Sequence, residues 1–331
     1  MTRCGAGLMA LRICITGASG FIGGRLLEFL SNCADVTIHA LVRTASDEML
    51  KRFPTVLFHE FELVHGDYHQ LKATIGEIDC LIHLASINEH QSQASPVKAV
   101  EVNTLASIKL LAFAKSIMVK RIIYFSTLHV YGAPLVGELS EQSPCMPSHP
   151  YSITHKTVED FLIIANKNKE FESFILRLSN SYGAPIFPSV NRWTLLINSL
   201  ARSIFEKGYM NIKSANNTMR NFISLNNVCR AVYFLISKPY DFSDGGIINV
   251  GEDSESSIYD MALILQNVCQ SKLGMSPTIL VPDHFNKEIA HHFHYNCTKL
   301  IKLGFELEND METELERLLL FCQQHFSTMV C

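Results

Sequence analysis

Short, wholly apolar runs recur along this chain, and between them lie longer stretches whose apolar residues return at helical spacing. The first run, Ile13-Cys14-Ile15, stops at Thr16-Gly17 and is followed by a helical pattern over Phe21–Leu30. Further strands are predicted over Val36–Val42, Val56–Val64, Asp79–Ala85, Arg121–Ser126 and Ser173–Leu178, with helices over Val97–Lys115 and Tyr151–Asn166. Strands that are apolar throughout are buried on both faces, and their alternation with helices predicts an α/β fold built on a doubly wound parallel sheet. Ligands of such sheets lie at the carboxyl ends of the strands. Here those ends follow Ile15, Val42, Val64, Leu84, Phe125 and Leu178.

Beyond Leu178 the rhythm changes. Gly183, Pro185 and Pro188 interrupt it, and helices are predicted over Trp193–Lys207, Asn226–Ser237 and Ile258–Cys269, with a strand at Ile247–Val250. This divides the chain into a dinucleotide-binding domain over 1–178 and a smaller, mostly helical substrate lobe over 179–331. A segment at about 220–240 is expected to pack back on the first domain.

The first strand-to-helix turn carries Gly17, Gly20 and Gly23 at three-residue spacing. A strand that turns on glycines into a helix aims backbone N–H groups and the positive helix end at one point, where a pyrophosphate sits. Gly17 suits the tight turn, Gly20 a close approach of backbone to phosphate, and Gly23 close packing of helix on strand.

The 331 residues suffice for one large or two modest cores, and with 47% hydrophobic and 18% charged residues the chain is globular rather than disordered. A formal net charge of -4 supplies no basic face, so no nucleic-acid partner is expected. No apolar run is long enough for a membrane helix. Residues 1–17 run straight into the first strand, which predicts no signal peptide, and Thr328-Met329-Val330-Cys331 does not place a cysteine for prenylation. The ten cysteines stand singly, several inside apolar runs, as expected of reduced thiols in a cytoplasmic protein with no metal site.

In order along the chain come Thr16-Gly17-x-x-Gly20-Phe21-Ile22-Gly23, Gly66-Asp67, Asp79 with His83-Leu84-Ala85, Asn103, and Phe125-Ser126-Thr127 with Val130-Tyr131-Gly132. Tyr151, Arg177-Leu178-Ser179-Asn180, Arg220-Asn221-Phe222-Ile223 and Asn249-Val250-Gly251 follow. Together they resemble the extended short-chain dehydrogenase/reductase family, in its NAD(P)-dependent nucleotide-sugar epimerase/dehydratase branch, over most of the chain. The resemblance implies a Rossmann-type domain, a nucleotide-diphosphate sugar as substrate and a homodimer formed through the two long helices. It assigns Asp67 to the adenine amine, and Leu84, Ala85 and Ser86 to the ribose and phosphate path. Ser19, Gly20, Phe21, Ile22, Tyr68, Asn103 and Ser126 are further expected cofactor residues, and Asn180 and Arg220 are expected at the sugar diphosphate. A ribose 2′-hydroxyl is usually held by a carboxylate at the end of the second strand; here that place is Arg43, whose fork of donors suits a 2′-phosphate, so NADP is expected before NAD.

In this family a tyrosine passes the proton while a hydride moves between nicotinamide and sugar. A phenol with a pKa of about 10 is a poor base unless a cation lies beside it. The family's cation is a lysine four residues after the tyrosine, one helical turn on. Four residues after Tyr151 stands His155, and Lys156 comes one later, out of register. Either His155 replaces the lysine, or a helix distortion brings Lys156 in, or the chain is a cofactor-binding sensor or scaffold with a weakened site. Thr127 matches the hydroxyl that hydrogen-bonds the reacting sugar oxygen. The positions after it, Leu128 and His129, lack the acids of the 4,6-dehydratases. The expected activity is a 4-ketoreductase of surface-polysaccharide or deoxysugar biosynthesis, with a 4-epimerase as the alternative.

Overall fold

The computed structural model describes residues 10–238, 245–289 and 291–327. The expectations on the chain's start and on Thr328 to Cys331 lie outside the described residues. Seven strands form one parallel sheet: β1 (Leu11–Thr16), β2 (Val36–Val42), β3 (Leu57–Glu60), β4 (Cys80–His83), β5 (Arg121–Thr127), β6 (Glu172–Leu178) and β7 (Ile247–Val250). Their order is β7-β6-β5-β4-β1-β2-β3. The order reverses between β1 and β4, which pair from Ile13 with Cys80 to Thr16 with His83, and that reversal is where such sheets open a ligand crevice.

The chain divides into two compact units, one of residues up to Val130 with Pro147–Leu176 and Val232–Ile247, the other of Tyr131–Met146, Arg177–Ala231 and the residues from Ile248 on. In the first unit, helices α1 (Phe21–Leu30), α2 (Tyr68–Ile75), α3 (Ala106–Ser116) and α4 (Pro150–Lys167) flank the sheet. Cys14, Leu81, Ile122 and Ile175 from the strands pack against Leu110, Ala114, Val158 and Leu162 from α3 and α4. Each fully buried aliphatic side chain there contributes about 1.5–3 kcal/mol, so this layer holds α4 firmly on the sheet.

The second unit has its own core, formed by α5 (Leu196–Lys207), α7 (Ile258–Leu273) and α8 (Met311–Phe326), with Leu200, Ile204, Met261, Leu265, Leu315 and Leu319 buried together. The intervening helix α6 (Leu225–Ser237) runs from this unit into the first. Short strands add to the helices. Asn180–Tyr182 pairs parallel with Met219–Ser224, aligning Asn180 with Phe222, and Glu255–Ser257 pairs on the other side, aligning Ser256 with Arg220.

Several elements differ from the expectations: the helix expected over Ile258–Cys269 runs on to Leu273, and the strand expected over Asp79–Ala85 is Cys80–His83. The third strand ends at Glu60 rather than Val64, because the Glu62 carboxylate accepts hydrogen bonds from the amides of Val64 (3.1 Å) and His65 (2.6 Å) and closes a turn. The helix expected over Val97–Lys115 is a short turn (Pro96–Ala99), a π-helical turn (Val100–Leu105) and α3. The helix expected from Trp193 starts at Leu196.

Candidate active site

At the end of β1, Gly17 has φ +70°, a conformation that costs any other residue strain. A Cβ there would also lie 2.8 Å from the Ala85 amide nitrogen. At Gly23 a Cβ would sit 2.1 Å from the Gly17 carbonyl oxygen, so α1 can lie against the turn only without one. A Cβ on Gly20 would meet just one atom within 4 Å, the Gly17 oxygen at 3.0 Å, and it would otherwise project into open space. No side chain caps α1 and no acid stands in its first turn. The free N–H groups at this helix start, including those of Phe21 and Ile22, form a cradle for an anion that a side chain on Gly20 would enter. Beside the turn, Leu84 and Ala85 donate to Thr16 Oγ1 at 3.2 Å. Arg43 is exposed directly after β2 and has no hydrogen bond or ion pair among the described residues.

Pro150 opens α4, and His149 caps it by accepting the Tyr151 amide at 3.1 Å. One turn on, His155 is 3% exposed and its ring meets Tyr151 edge-on with centroids 4.4 Å apart. Its Nδ1 lies 2.7 Å from the Tyr124 hydroxyl of β5, while Nε2 is buried with no hydrogen-bond partner. Burial, with the neighbouring His83, pushes the imidazole down to about 3, opposed by a hydrogen bond with the Phe125 backbone. His155 is therefore neutral at physiological pH. Lys156 forms an ion pair with Asp160 on the helix surface. The helix runs regularly through both residues, so the distortion that would bring Lys156 inward does not occur. Thr127 is buried at the end of β5, and its hydroxyl accepts the His129 amide at 3.2 Å.

In the second unit the Arg220 guanidinium is largely buried, its Nε has no partner, and burial lowers its pKa. A buried cation with a free donor fits an anionic ligand. Asn180 donates to the Asn221 carbonyl at 2.8 Å and so ties the two short strands together. Tyr131 donates to Asn249 Oδ1 at 2.6 Å and accepts from Arg177 at 3.0 Å within a buried cluster.

The NAD dependent epimerase/dehydratase family matches residues 13–251, from β1 to just past β7. The chain belongs to that family. Its members are enzymes acting on nucleotide sugars with a nicotinamide cofactor. The chain is 27% identical over 271 residues to the human dTDP-D-glucose 4,6-dehydratase, covering 77% of this chain and 73% of that protein. Among solved structures it is similar to the UDP-glucuronic acid 4-epimerase of Bacillus cereus in complex with NAD, with TM-score 0.79, 21% identity and 97% and 99% of the two chains covered. It is also similar to RMD of Pseudomonas aeruginosa complexed with NADPH, with TM-score 0.74, 19% identity and 95% and 99% covered. At these identities the structures show the shared fold.

Several expected cofactor residues also make contacts within the chain. Asp67 caps α2 by accepting the amides of His69 (2.9 Å) and Gln70 (3.2 Å). Tyr68 turns its ring onto Phe61 and Phe113 and donates its hydroxyl to the Leu63 carbonyl at 2.8 Å. Asn103, in the π-helical turn, accepts the Ile87 amide at 2.8 Å and donates to Thr154 Oγ1 at 3.1 Å. It therefore ties the loop after Ser86 to α4. Ser126 donates to the buried Glu159 at 2.5 Å. Ser19 and Ser86 are exposed. Two contributors were not anticipated: Tyr124, hidden in the apolar run RIIYFS, and Glu159 as the partner of Ser126. The eight described cysteines are free thiols, no metal-binding cluster occurs among the described residues, and no described helix is long and apolar enough to cross a membrane.

Proposed function

We propose that this chain is an NADP(H)-dependent 4-ketoreductase of a nucleotide-diphosphate sugar. The observation that carries the reading is the uncharged, buried His155 one turn after Tyr151, with Lys156 turned to Asp160. A tyrosine that must remove a proton needs a cation beside it to stabilise the phenolate. A tyrosine that gives a proton does not. The arrangement favours Tyr151 as an acid, protonating the sugar oxygen as the carbonyl is reduced, with Thr127 hydrogen-bonding the same oxygen. The turn after β1 would hold the pyrophosphate, the exposed Arg43 a 2′-phosphate, and Nε2 of His155 a ribose hydroxyl. When bound, the nicotinamide supplies the hydride. Asn180 and Arg220 are the proposed holders of the sugar diphosphate.

The second reading, a 4-epimerase, is supported by the likeness to the Bacillus cereus enzyme. One assay separates the two. With a 4-keto nucleotide sugar, the reductase consumes NADPH stoichiometrically, whereas an epimerase interconverts two sugars with no net loss of cofactor. The exposed Ile153, Phe161 and Ile164 on α4, and Val97, Val100 and Leu105 on the preceding helical stretch, support a homodimer. The eight free thiols support a reducing, cytoplasmic setting.

A further inference from the structure

We infer that Tyr124 is a positioning residue of the site: its hydroxyl donates to Nδ1 of His155 and fixes the imidazole as the Nε2–H tautomer, so that a neutral N–H replaces the family's ammonium. This rests on the proposed placing of the cofactor only for what Nε2–H would meet; the tautomer stands on the geometry alone.

The geometry decides the direction of the bond. Tyr124 Oη and His155 Nδ1 are 2.7 Å apart, and this is the one side-chain hydrogen bond that Tyr124 makes among the described residues. If Tyr124 donates, its single proton is used and Nδ1 is satisfied, leaving only Nε2–H without a partner. If Nδ1–H donated instead, the phenolic proton and the Nε2 lone pair would both be buried unsatisfied. Buried polar atoms without partners are costly, so the first arrangement wins. The surroundings agree. Tyr124 is fully buried and faces the carboxylate of Glu159, both of which keep its proton on the oxygen. The groups facing the imidazole are Tyr124 and the Phe125 backbone from β5, His83 from β4 and Tyr151 from its own helix, with Glu159 one turn further along α4. His83 is occupied by Thr16 Oγ1 at 2.7 Å and Ser107 Oγ at 2.8 Å, and Glu159 by Ser126. Neither offers His155 a proton or a hydrogen-bond partner. The Nε2–H of His155 is thus a buried donor next to Tyr151 with no side-chain partner among the described residues, and Tyr124 aims it.

The test is heteronuclear NMR on the full-length protein with 15N-labelled histidine, from pH 5.5 to 9, with His155→Asn to assign the His155 ring among the fourteen histidines. The expected result is an unprotonated Nδ1 and a protonated Nε2 across the whole range. A protonated Nδ1, or an imidazolium at pH 7, overturns the inference. Tyr124→Phe supplies the second arm, with NADPH binding followed by fluorescence. Without the phenolic donor the two tautomers should mix and NADPH should bind roughly twofold more weakly for an even mixture, since only the Nε2–H fraction donates. A folded Tyr124→Phe protein with altered thermal stability but the wild-type tautomer and NADPH affinity marks a packing role and overturns it. Absence of NADPH binding in the wild-type protein sinks the functional reading and leaves the ring assignment standing.

Discussion

A lysine ammonium and a neutral imidazole can both donate one hydrogen bond to a ribose hydroxyl, and only the ammonium brings charge to the neighbouring phenol. Tyr151→Phe is therefore expected to lower kcat of NADPH oxidation by about 10²–10⁴, the usual value of a positioned acid, with NADPH affinity little changed; equal kcat in the two proteins would remove Tyr151 from the chemistry. Arg43→Ser should weaken NADPH binding by about 1.5–3 kcal/mol, the worth of hydrogen bonds to a charged group, and leave NADH binding as it was. A parallel loss for both cofactors would place Arg43 elsewhere. At this scale the sequence was legible wherever a residue type is dictated by backbone shape. Gly17 must have φ +70° and Gly23 must lack a Cβ, so their spacing announced the turn. Tyr124 was not legible, because a tyrosine inside RIIYFS is what any half-aromatic core strand contains, and only the fold brings its hydroxyl to His155.

Elements were legible where burial imposes one rhythm along a whole segment. The central strands and α4 are wholly or largely buried on the side their pattern predicts. The misses fall where a side chain interrupts the backbone. Glu62 folds Phe61 to Val64, an apolar stretch, into a turn, and the π-helical turn around Asn103 keeps a near-helical period that no hydrophobic count separates from an α-helix. Two element-level outcomes follow. In Gly23→Ala the new methyl meets the Gly17 oxygen and the Ala18 Cα, so α1 must move off the turn. Chemical denaturation should show a loss of about 1–3 kcal/mol, the usual cost of overpacking, together with lost NADPH binding. Asp67→Ala removes the cap of α2 and should cost about 1 kcal/mol in the same measurement, while a loss of adenine-nucleotide affinity with unchanged stability would place Asp67 at the cofactor.

Over the whole molecule, acid should unfold this protein through its buried histidines. His155 and His83 are held down to about 3 and about 4, below the value of about 6.5 for a histidine in an unfolded chain. The unfolded chain therefore takes up more protons between those limits, and stability is complete above about pH 6.5 and falls as pH drops toward 4. Each histidine contributes a slope of about 1 kcal/mol per pH unit. Urea midpoints between pH 7 and 4.5 should show this fall, and a shallower one in His155→Asn; identical slopes would mean the ring is protonated in the folded state. If the chain forms the proposed homodimer through the apolar side of α4, Ile164→Glu should sediment as a monomer where the wild-type protein sediments as a dimer. One tie has a further consequence. Asn103 holds the Ile87 amide and Thr154 with the two ends of one side chain, and Thr154 in turn donates to the Tyr151 carbonyl at 2.8 Å. Exchange of the Ile87 amide proton with deuterated water should therefore slow when NADPH is added if the segment beside Ser86 lines the cofactor, and an unchanged rate would place the cofactor elsewhere.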